Sequence, residues 1–555
     1  MIDYRAPVDD ILFALESVAG ASRIPGWDSE LTKDILANAS RFVNEAISPI
    51  DHVADAQGVR FQNGRVELPH VFHKAFHLYK AGGWQSLAAD VRYGGQGVSG
   101  VVASAFSEMT AGACIGFHMG VSLAQGAIRT LSVNADEETK DKWIPRLTSC
   151  EWLATMCLTE PQAGSDLSLI RTVAHQCDDG WRIDGSKIFI SGGDQDYTGR
   201  VLHLVLARTA DAPPGLKGLS LFLVPSHLEN GAANGVSVVR VEDKMGLHAA
   251  ATCQMAFDGA TGAMVGAPGE GLKRMFTLMN IQRLEVALQG VALANCASQR
   301  SLAYAANRKQ GRDPQSGEAV AISEHDDVRR MLMTQMALTL GGRVMCYQTL
   351  VDLELNGRSD FAEFMTPVCK SFCTDAAVES AHLAIQAHGG YGYLKEYRVE
   401  QILRDARITQ IYEGTNEIHG AALATRLSRG PRYVEAFERH VQTAIDEAER
   451  RTKCLTARTL EIVLGHWRTA TDAIARYERP DSVARAYMLL TGLTAFGAAW
   501  ACLECVAEDA PEPVRIKELG WFVREFMLPA AEHHARMVQI PLRFDHVPPV
   551  LFATK

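Results

Sequence analysis

Gly389 to Ile418 reads GGYGYLKEYRVEQILRDARITQIYEGTNEI. Its last eight residues set the local frame. Thr415 has the character of a helix N-cap, with Asn416 and Glu417 in the first turn of a helix that carries Ile418 and Leu423. Glu413 then stands just ahead of a helix N-terminus, between Tyr412 and Gly414. In isolation a carboxylate there is a solvated loop charge.

Outward from this stretch the sequence changes period twice. Apolar residues recur at helical spacing from Gly271 to Arg429, broken by the polar GRDPQSGE at Gly311 to Glu318. Between about Cys150 and Pro268 the pattern is short, β-branched and alternating, as in Val201-Leu202-His203-Leu204-Val205-Leu206, with Gly, Pro and Asp as punctuation. Before Cys150 it is helical again, with Leu31, Ile35, Phe42, Val43, Ile47 and Ile50 on one face. After the break RGPR at Arg429 to Arg432 comes a further helical block. The expectation from period alone is an α+β chain of three or four domains, with a helical region to about 150, a β domain over about 151–270, a helical region over 271–430 and a further helical block over 431–555.

Two segments of the β domain suit a flat polar ligand. Met156-Cys157-Leu158-Thr159-Glu160-Pro161-Gln162-Ala163-Gly164-Ser165-Asp166 would let N–H groups and hydroxyls approach a ring or a phosphate. In Lys187-Ile188-Phe189-Ile190-Ser191-Gly192-Gly193 the aromatic and the hydroxyl fall two residues apart, on one face of a strand. Singly, each is also an ordinary turn or strand end.

Composition bounds the function. The 555 residues are 47% hydrophobic and 22% charged, a globular balance. A net charge of -10 argues against a general nucleic-acid or anionic-membrane binder. Residues 431–555 hold 16 Lys/Arg and 17 Asp/Glu, so that block has no footprint for DNA. Twelve cysteines without repeated short spacing read as reduced thiols, and Cys502 with Cys505 as helix packing. No residues have metal-site spacing. The start lacks a basic and then apolar leader, which makes a cytoplasmic protein the expectation. The apolar run Ala486 to Leu503 is rich in Ala, Gly and Thr and reads as a buried helix, not as an integral membrane span.

Taken together, in this order and spacing, the motifs resemble the acyl-CoA dehydrogenase family of flavoproteins. The resemblance rests on LTEPQAGSD, on KMGLHAAATCQMAFDGA and on the stretch quoted first, and covers about residues 30 to 430. The opening YRAPVDDILFAL and the last helical block look like a longer bacterial subgroup, and the resemblance implies four domains: an N-terminal helical domain over 1–150, a β-barrel or sandwich domain over 151–270, a four-helix-bundle domain over 271–430 and an additional C-terminal helical domain over 431–555. Members remove the α-hydrogen of an acyl-CoA as a proton while the β-hydrogen leaves as hydride to N5 of FAD, giving a trans-2-enoyl-CoA. The resemblance makes Glu413 the base. It also implies burial to raise the carboxyl pKa and an enolate held by the residue's own N–H.

By the same resemblance Met156, Leu158 and Thr159 would line the flavin, and Ser165 would lie near its pyrophosphate or the CoA. Phe189 and Ser191 replace the usual Trp and Thr against the ring. Arg308, Gln386, Gly389 and Gly390 would bind the FAD of a neighbouring subunit. Thr415 and Glu417 would close over the adenine-side phosphates and ribose of FAD. Asn280, Arg283, Tyr412 and Gly414 would contact the substrate. Gln282 occupies a position from which some members take their base, and Gln cannot serve. Glu285 is the rival carboxylate, otherwise a helix-surface or interface charge.

The expected acceptor is electron-transfer flavoprotein and the expected assembly a homodimer. An acyl-CoA oxidase would share base and flavin site. A non-catalytic flavin-binding, DNA-associated member is disfavoured by the near-neutral last block.

Overall fold

The computed structural model describes residues 2–178, 180–452 and 455–541. The described chain divides into two compact units. The first gathers the N-terminal residues up to Pro7, Glu30–Glu285 and Leu394–Ile408; the second gathers Val8–Ser29, Val286–Tyr393 and the described residues from Thr409 onward.

In the first unit the period-2 segments form a seven-stranded sheet: β1 (Leu153–Cys157), β2 (Val173–Cys177), β3 (Gly180–Ser191), β4 (Val201–Thr209), β5 (Leu219–Pro225), β6 (Val236–Val241) and β7 (Thr252–Val265). β4 pairs β5 along one edge and β1 and then β2 along the other. β2 continues to β3, β3 to β7, and β7 back to β5, which closes a barrel. β6 adds to β7. Val201 to Ala207 are all buried, as expected of a strand paired on both edges and covered on both faces. The barrel core includes Cys157, Ile183, Val205, Phe222, Cys253 and Phe257.

The helices α1 (Ser29–Phe42), α2 (Asp51–Gln57), α3 (Gly100–Ala113) and α4 (Ile115–Asn134) precede the sheet. Ser99 caps α3, accepting from Val101 N, and every residue from Val101 to Ala113 is buried. A hairpin, Arg60–Gln62 with Arg65–Glu67, interrupts the helices; its turn is Asn63-Gly64, both left-handed. The helix Val399–Arg407 also belongs here. Its Arg404 pairs with Asp55 of α2 at 2.9 Å, and its Asp405 accepts from Leu247 N at 2.6 Å.

The long helix α5 (Gly271–Asn307) begins in the first unit and ends in the second. In the second unit GRDPQSGE turns a hairpin, Lys309–Arg312 with Ala319–Ala321. It leads into α6 (Asp326–Asn356) and then α7 (Asp360–His388), whose Ser359 cap accepts from Ala362 N. There follow α8 (Asn416–Ala422), α9 (Pro431–Thr452), α10 (Leu455–Arg476) and α11 (Ala484–Cys505). Aromatic rings join the last three to α7: Phe364 meets Phe437 of α9 at 4.8 Å, Phe437 meets Trp467 of α10 at 4.8 Å, and Phe372 meets Phe496 of α11 at 5.0 Å. Among the described residues one helical stretch, Pro480–Cys505, is long and apolar enough to cross a membrane, and 78% of its apolar window is buried inside the protein. That is the environment of a core helix. The described cysteines are free, and no described residues cluster as a metal site.

Candidate active site

In the first unit β1 delivers Met156 and Cys157, and the loop beyond folds against β3. Ile188 N donates to Thr159 O at 2.9 Å, tying the two segments quoted from the β domain. Beneath them Lys187, fully buried, donates from Nζ to Glu160 Oε1 and to Leu158 O, both at 2.9 Å. Burial alone would push the Glu160 carboxyl up. The Lys187 ammonium, the Thr172 hydroxyl and the Arg171 N–H outweigh it and hold the group at about 2. The ion pair therefore fixes the loop from Leu158 to Glu160 under β3.

A bulge between Lys187 and Ile190 puts Phe189 at φ 58°, a left-handed conformation that is uncommon for a bulky side chain. Phe189 is 61% exposed and Ser191 half-buried, and they flank the buried Ile190. Simple alternation did not anticipate the bulge. Leu158 is buried, Met156 and Thr159 are half-buried, and Ser165 is exposed. An exposed ring beside exposed and half-buried hydroxyls is a donor set that fits a flat heteroaromatic group and its phosphates.

On the first-unit part of α5, Asn280 Oδ1 accepts from Arg283 at 3.2 Å, as their one-turn spacing predicts. Glu285 departs from the sequence reading. It is not a helix-surface charge: it is 9% exposed, and Ser104 of α3 donates to its Oε1 at 2.6 Å. Burial raises its pKa, against Ser104, Ser107 and Arg129. Its neighbours Leu284 and Val286 gave no sign of this; α3 packs over a position that helical spacing left ambiguous.

In the second unit Glu413 and Gly414 are left-handed in succession, at φ 56° and 89°. A side chain at Gly414 would approach the His419 ring at 3.1 Å, so the residue after Glu413 must be glycine. The loop is fixed at each carbonyl. The Glu413 carbonyl lies 3.0 Å from His419 Nε2, and Lys370 Nζ donates to Gly414 O at 2.8 Å. Thr415 caps α8, its Oγ1 accepting from Ile418 N at 3.2 Å, as the sequence indicated. Tyr412 donates its hydroxyl to Gln289 Oε1 at 2.5 Å. The Glu413 side chain is half-buried, less enclosed than the sequence reading required of a base. Glu417 is exposed.

Also in the second unit, Arg308 lies over the Tyr391 ring, 5.3 Å from its centroid, close to the double glycine. Gln386, Gly389 and Gly390 are exposed, and nothing lies within 4 Å of a side chain built at either glycine. The backbone here is open to approach by another molecule. His388 packs: its ring stacks on Tyr304 at 4.1 Å and its Nδ1 lies 2.7 Å from Ala384 O. Sequence reasoning missed Lys187 and Lys370 as clamps, because a lone lysine in a helix or strand carries no local mark of burial.

Family models match most of the chain: acyl-CoA dehydrogenase N-terminal domain over residues 29–151, middle domain over 155–260 and C-terminal domain over 269–428. The chain is 42% identical over 446 residues to 3-methylmercaptopropionyl-CoA dehydrogenase of Ruegeria pomeroyi, covering 76% of each. The chain belongs to the acyl-CoA dehydrogenase family. Members are FAD flavoproteins and oxidoreductases. The broad-specificity linear acyl-CoA dehydrogenase FadE5 of Mycobacterium tuberculosis is 34% identical, over 75% of this chain and 74% of that one. Among solved structures, Caenorhabditis elegans ACDH-11 in complex with C11-CoA shares the fold with a TM-score of 0.79 at 22% identity, over 97% of this chain and 91% of that one. Butyryl-CoA dehydrogenase of Megasphaera elsdenii gives 0.62 at 26% identity, over 72% of this chain and 98% of that one.

Proposed function

We propose that this enzyme dehydrogenates an acyl-CoA thioester at the α,β-bond to give a trans-2-enoyl-CoA, with Glu413 as the base. The carrying observation is the Glu413 loop: two left-handed residues, Glu413 and Gly414, whose carbonyls are both fixed. The Glu413 carboxylate takes the α-proton, and its own N–H donates to the thioester oxygen as charge develops there. A carboxylate is a weak base for a carbon acid, so bound substrate must complete the burial that the chain alone leaves half-made.

Bound FAD supplies the acceptor of the β-hydrogen as hydride. Met156, Leu158, Thr159, Phe189 and Ser191 would hold its ring, and Ser165 its pyrophosphate or the CoA. The open backbone at Gly389 and Gly390, with Arg308 and Gln386, supports contacts to the FAD of a second subunit, hence a homodimer. Thr415 and Glu417 would border the adenine side. Asn280 and Arg283 would meet the CoA, with Tyr412 and Gly414 beside the acyl group. Electrons would pass to electron-transfer flavoprotein. The domain boundaries we assign on this reading are 1–150, 151–270, 271–430 and 431–555.

Glu413→Gln should keep yellow FAD and lose anaerobic bleaching by acyl-CoA by a factor on the order of a thousand or more. Ordinary bleaching in that variant would refute the base. Admitting air after bleaching separates a dehydrogenase from an oxidase, since prompt reoxidation with peroxide release belongs to the latter.

A further inference from the structure

A polar chain runs through the second unit from its last helices to the loop of Glu413. The Arg485 guanidinium, on the first turn of α11, donates to Asp375 Oδ2 of α7 at 2.8 Å. The other oxygen, Asp375 Oδ1, accepts from Asn416 Nδ2 at 2.8 Å and from Gln410 Nε2 at 2.6 Å. Asn416 also donates to Thr374 Oγ1 at 3.0 Å. With its nitrogen so engaged, the amide presents Oδ1 to Lys370, whose Nζ donates to it at 2.9 Å and to Gly414 O at 2.8 Å. Asn416 and Lys370 are both buried.

An amide has a direction, and this one is set by what binds its nitrogen. Asp375 and Thr374 hold Nδ2, so Oδ1 faces the ammonium; the ammonium in turn holds the carbonyl next to Glu413. Asp375 is held from its far side by Arg485. α8 and α11 also approach closely: a side chain at Gly420 would lie 3.3 Å from Ala484 O. The helices after Gly430 thus reach the loop through both packing and this chain of hydrogen bonds.

We propose that the C-terminal helical block positions Glu413, with Arg485, Asp375, Asn416 and Lys370 as positioning residues that fix the Gly414 carbonyl. The proposal rests on Glu413 being the base. It gives the added block a task in the reaction itself. Arg485 is 45% exposed, and an exposed ion pair adds little to stability, so its loss separates positioning from folding.

The test uses full-length holoenzyme, with wild type, Arg485→Met, Arg485→Lys, Lys370→Met, Lys370→Arg and Glu413→Gln. Flavin reduction is followed by rapid mixing with butyryl-CoA or octanoyl-CoA, whichever bleaches the wild type, alongside KM, FAD content and thermal midpoint. Arg485→Met should lower the limiting rate about three- to tenfold, with KM within about twofold and the midpoint nearly unchanged, because misplacing a catalytic group costs rate before it costs binding. Arg485→Lys should recover part of the rate. Lys370→Met should lose more than Lys370→Arg. A wild-type rate in Arg485→Met, or a loss that Arg485→Lys repeats in full and that tracks FAD content and midpoint, overturns the positioning role; this outcome stands even if Lys370→Met does not fold. Full activity in Glu413→Gln instead overturns the base, and a wild type bleached by neither thioester overturns both.

Discussion

Each unit keeps a bulky residue in a left-handed conformation at its proposed reactive surface, Phe189 in the first and Glu413 in the second, and the two are restrained differently. Phe189 sits in a bulge of a closed barrel, above an ion pair buried on both sides. Glu413 sits in a loop, held by a lysine that meets a carbonyl and an amide and by a histidine on the first turns of α8. A third left-handed residue, Leu247, follows the first unit's manner: a buried carboxyl, Asp405, takes its N–H. Strain of about 1–2 kcal/mol at each such residue persists only where surroundings over-determine it. The barrel does so with a buried ion pair and sheet hydrogen bonds, the helical unit with a relay that runs from the Arg485–Asp375 ion pair through the Asn416 amide to one ammonium. The second arrangement depends on direction at every link, and so should be the easier to loosen without unfolding.

The largest expected effect comes from breaking the barrel's clamp. Lys187→Met leaves the Glu160 carboxylate buried without its cation and should cost about 3–5 kcal/mol in denaturant unfolding. Adding Glu160→Gln should return much of it. A single variant as stable as wild type would mean the pair does not hold the segment.

Next is Asp405. Burial leads, with Asp51 and Asp55 adding to it, in pushing its carboxyl up to about 8, against the Leu247 N–H and Arg404. The unfolded group loses its proton near pH 4, whereas the folded one keeps it to about 8. The folded state therefore binds the extra proton between these values, and stability falls as pH rises through that window, then levels off. Asp405→Asn keeps an acceptor for Leu247 and should be more stable than wild type by a few kcal/mol at pH 9, with little difference at pH 4. Parallel thermal midpoints of the two proteins from pH 4 to 9 would count against this.

Gly414→Ala tests the other restraint. It forces a Cβ into a left-handed site against His419 and should cost about 1–2 kcal/mol. Flavin reduction should fall further than that stability loss explains, by about tenfold or more. Stability and rate falling in proportion would make the loop a structural element only. Smallest of all, Phe189→Gly should leave stability within about 1 kcal/mol, since glycine takes the same backbone freely. FAD should dissociate more readily, which fluorescence of released flavin would report.

Much of the site was legible as residues, less as geometry. Thr415 as a cap, Asn280 with Arg283, and a β domain between helical parts all follow from spacing, because a cap or an i, i+3 pair is decided by a few neighbours in the chain. The Asn63-Gly64 hairpin was equally local and went unread among helical periods. Glu285 could not be placed, since its burial depends on Ser104, 181 residues away. Distance in sequence also hid Lys187 and Lys370: a buried lysine is defined by its partners, and those lie 27 to 29 and 44 to 46 residues off.

The sequence by itself determined the family and the order of helical and β segments, and it singled out Glu413 as the proposed base, because period, capping and motif are written in adjacent residues. Only the tertiary structure decided that Phe189 and Glu413 are left-handed, that Lys187 is buried against Glu160 and Lys370 against the Gly414 carbonyl, and that Arg485 of the last helical block reaches toward Glu413. Those depend on which distant side chains meet within hydrogen-bonding range, and on burial making such meetings strong.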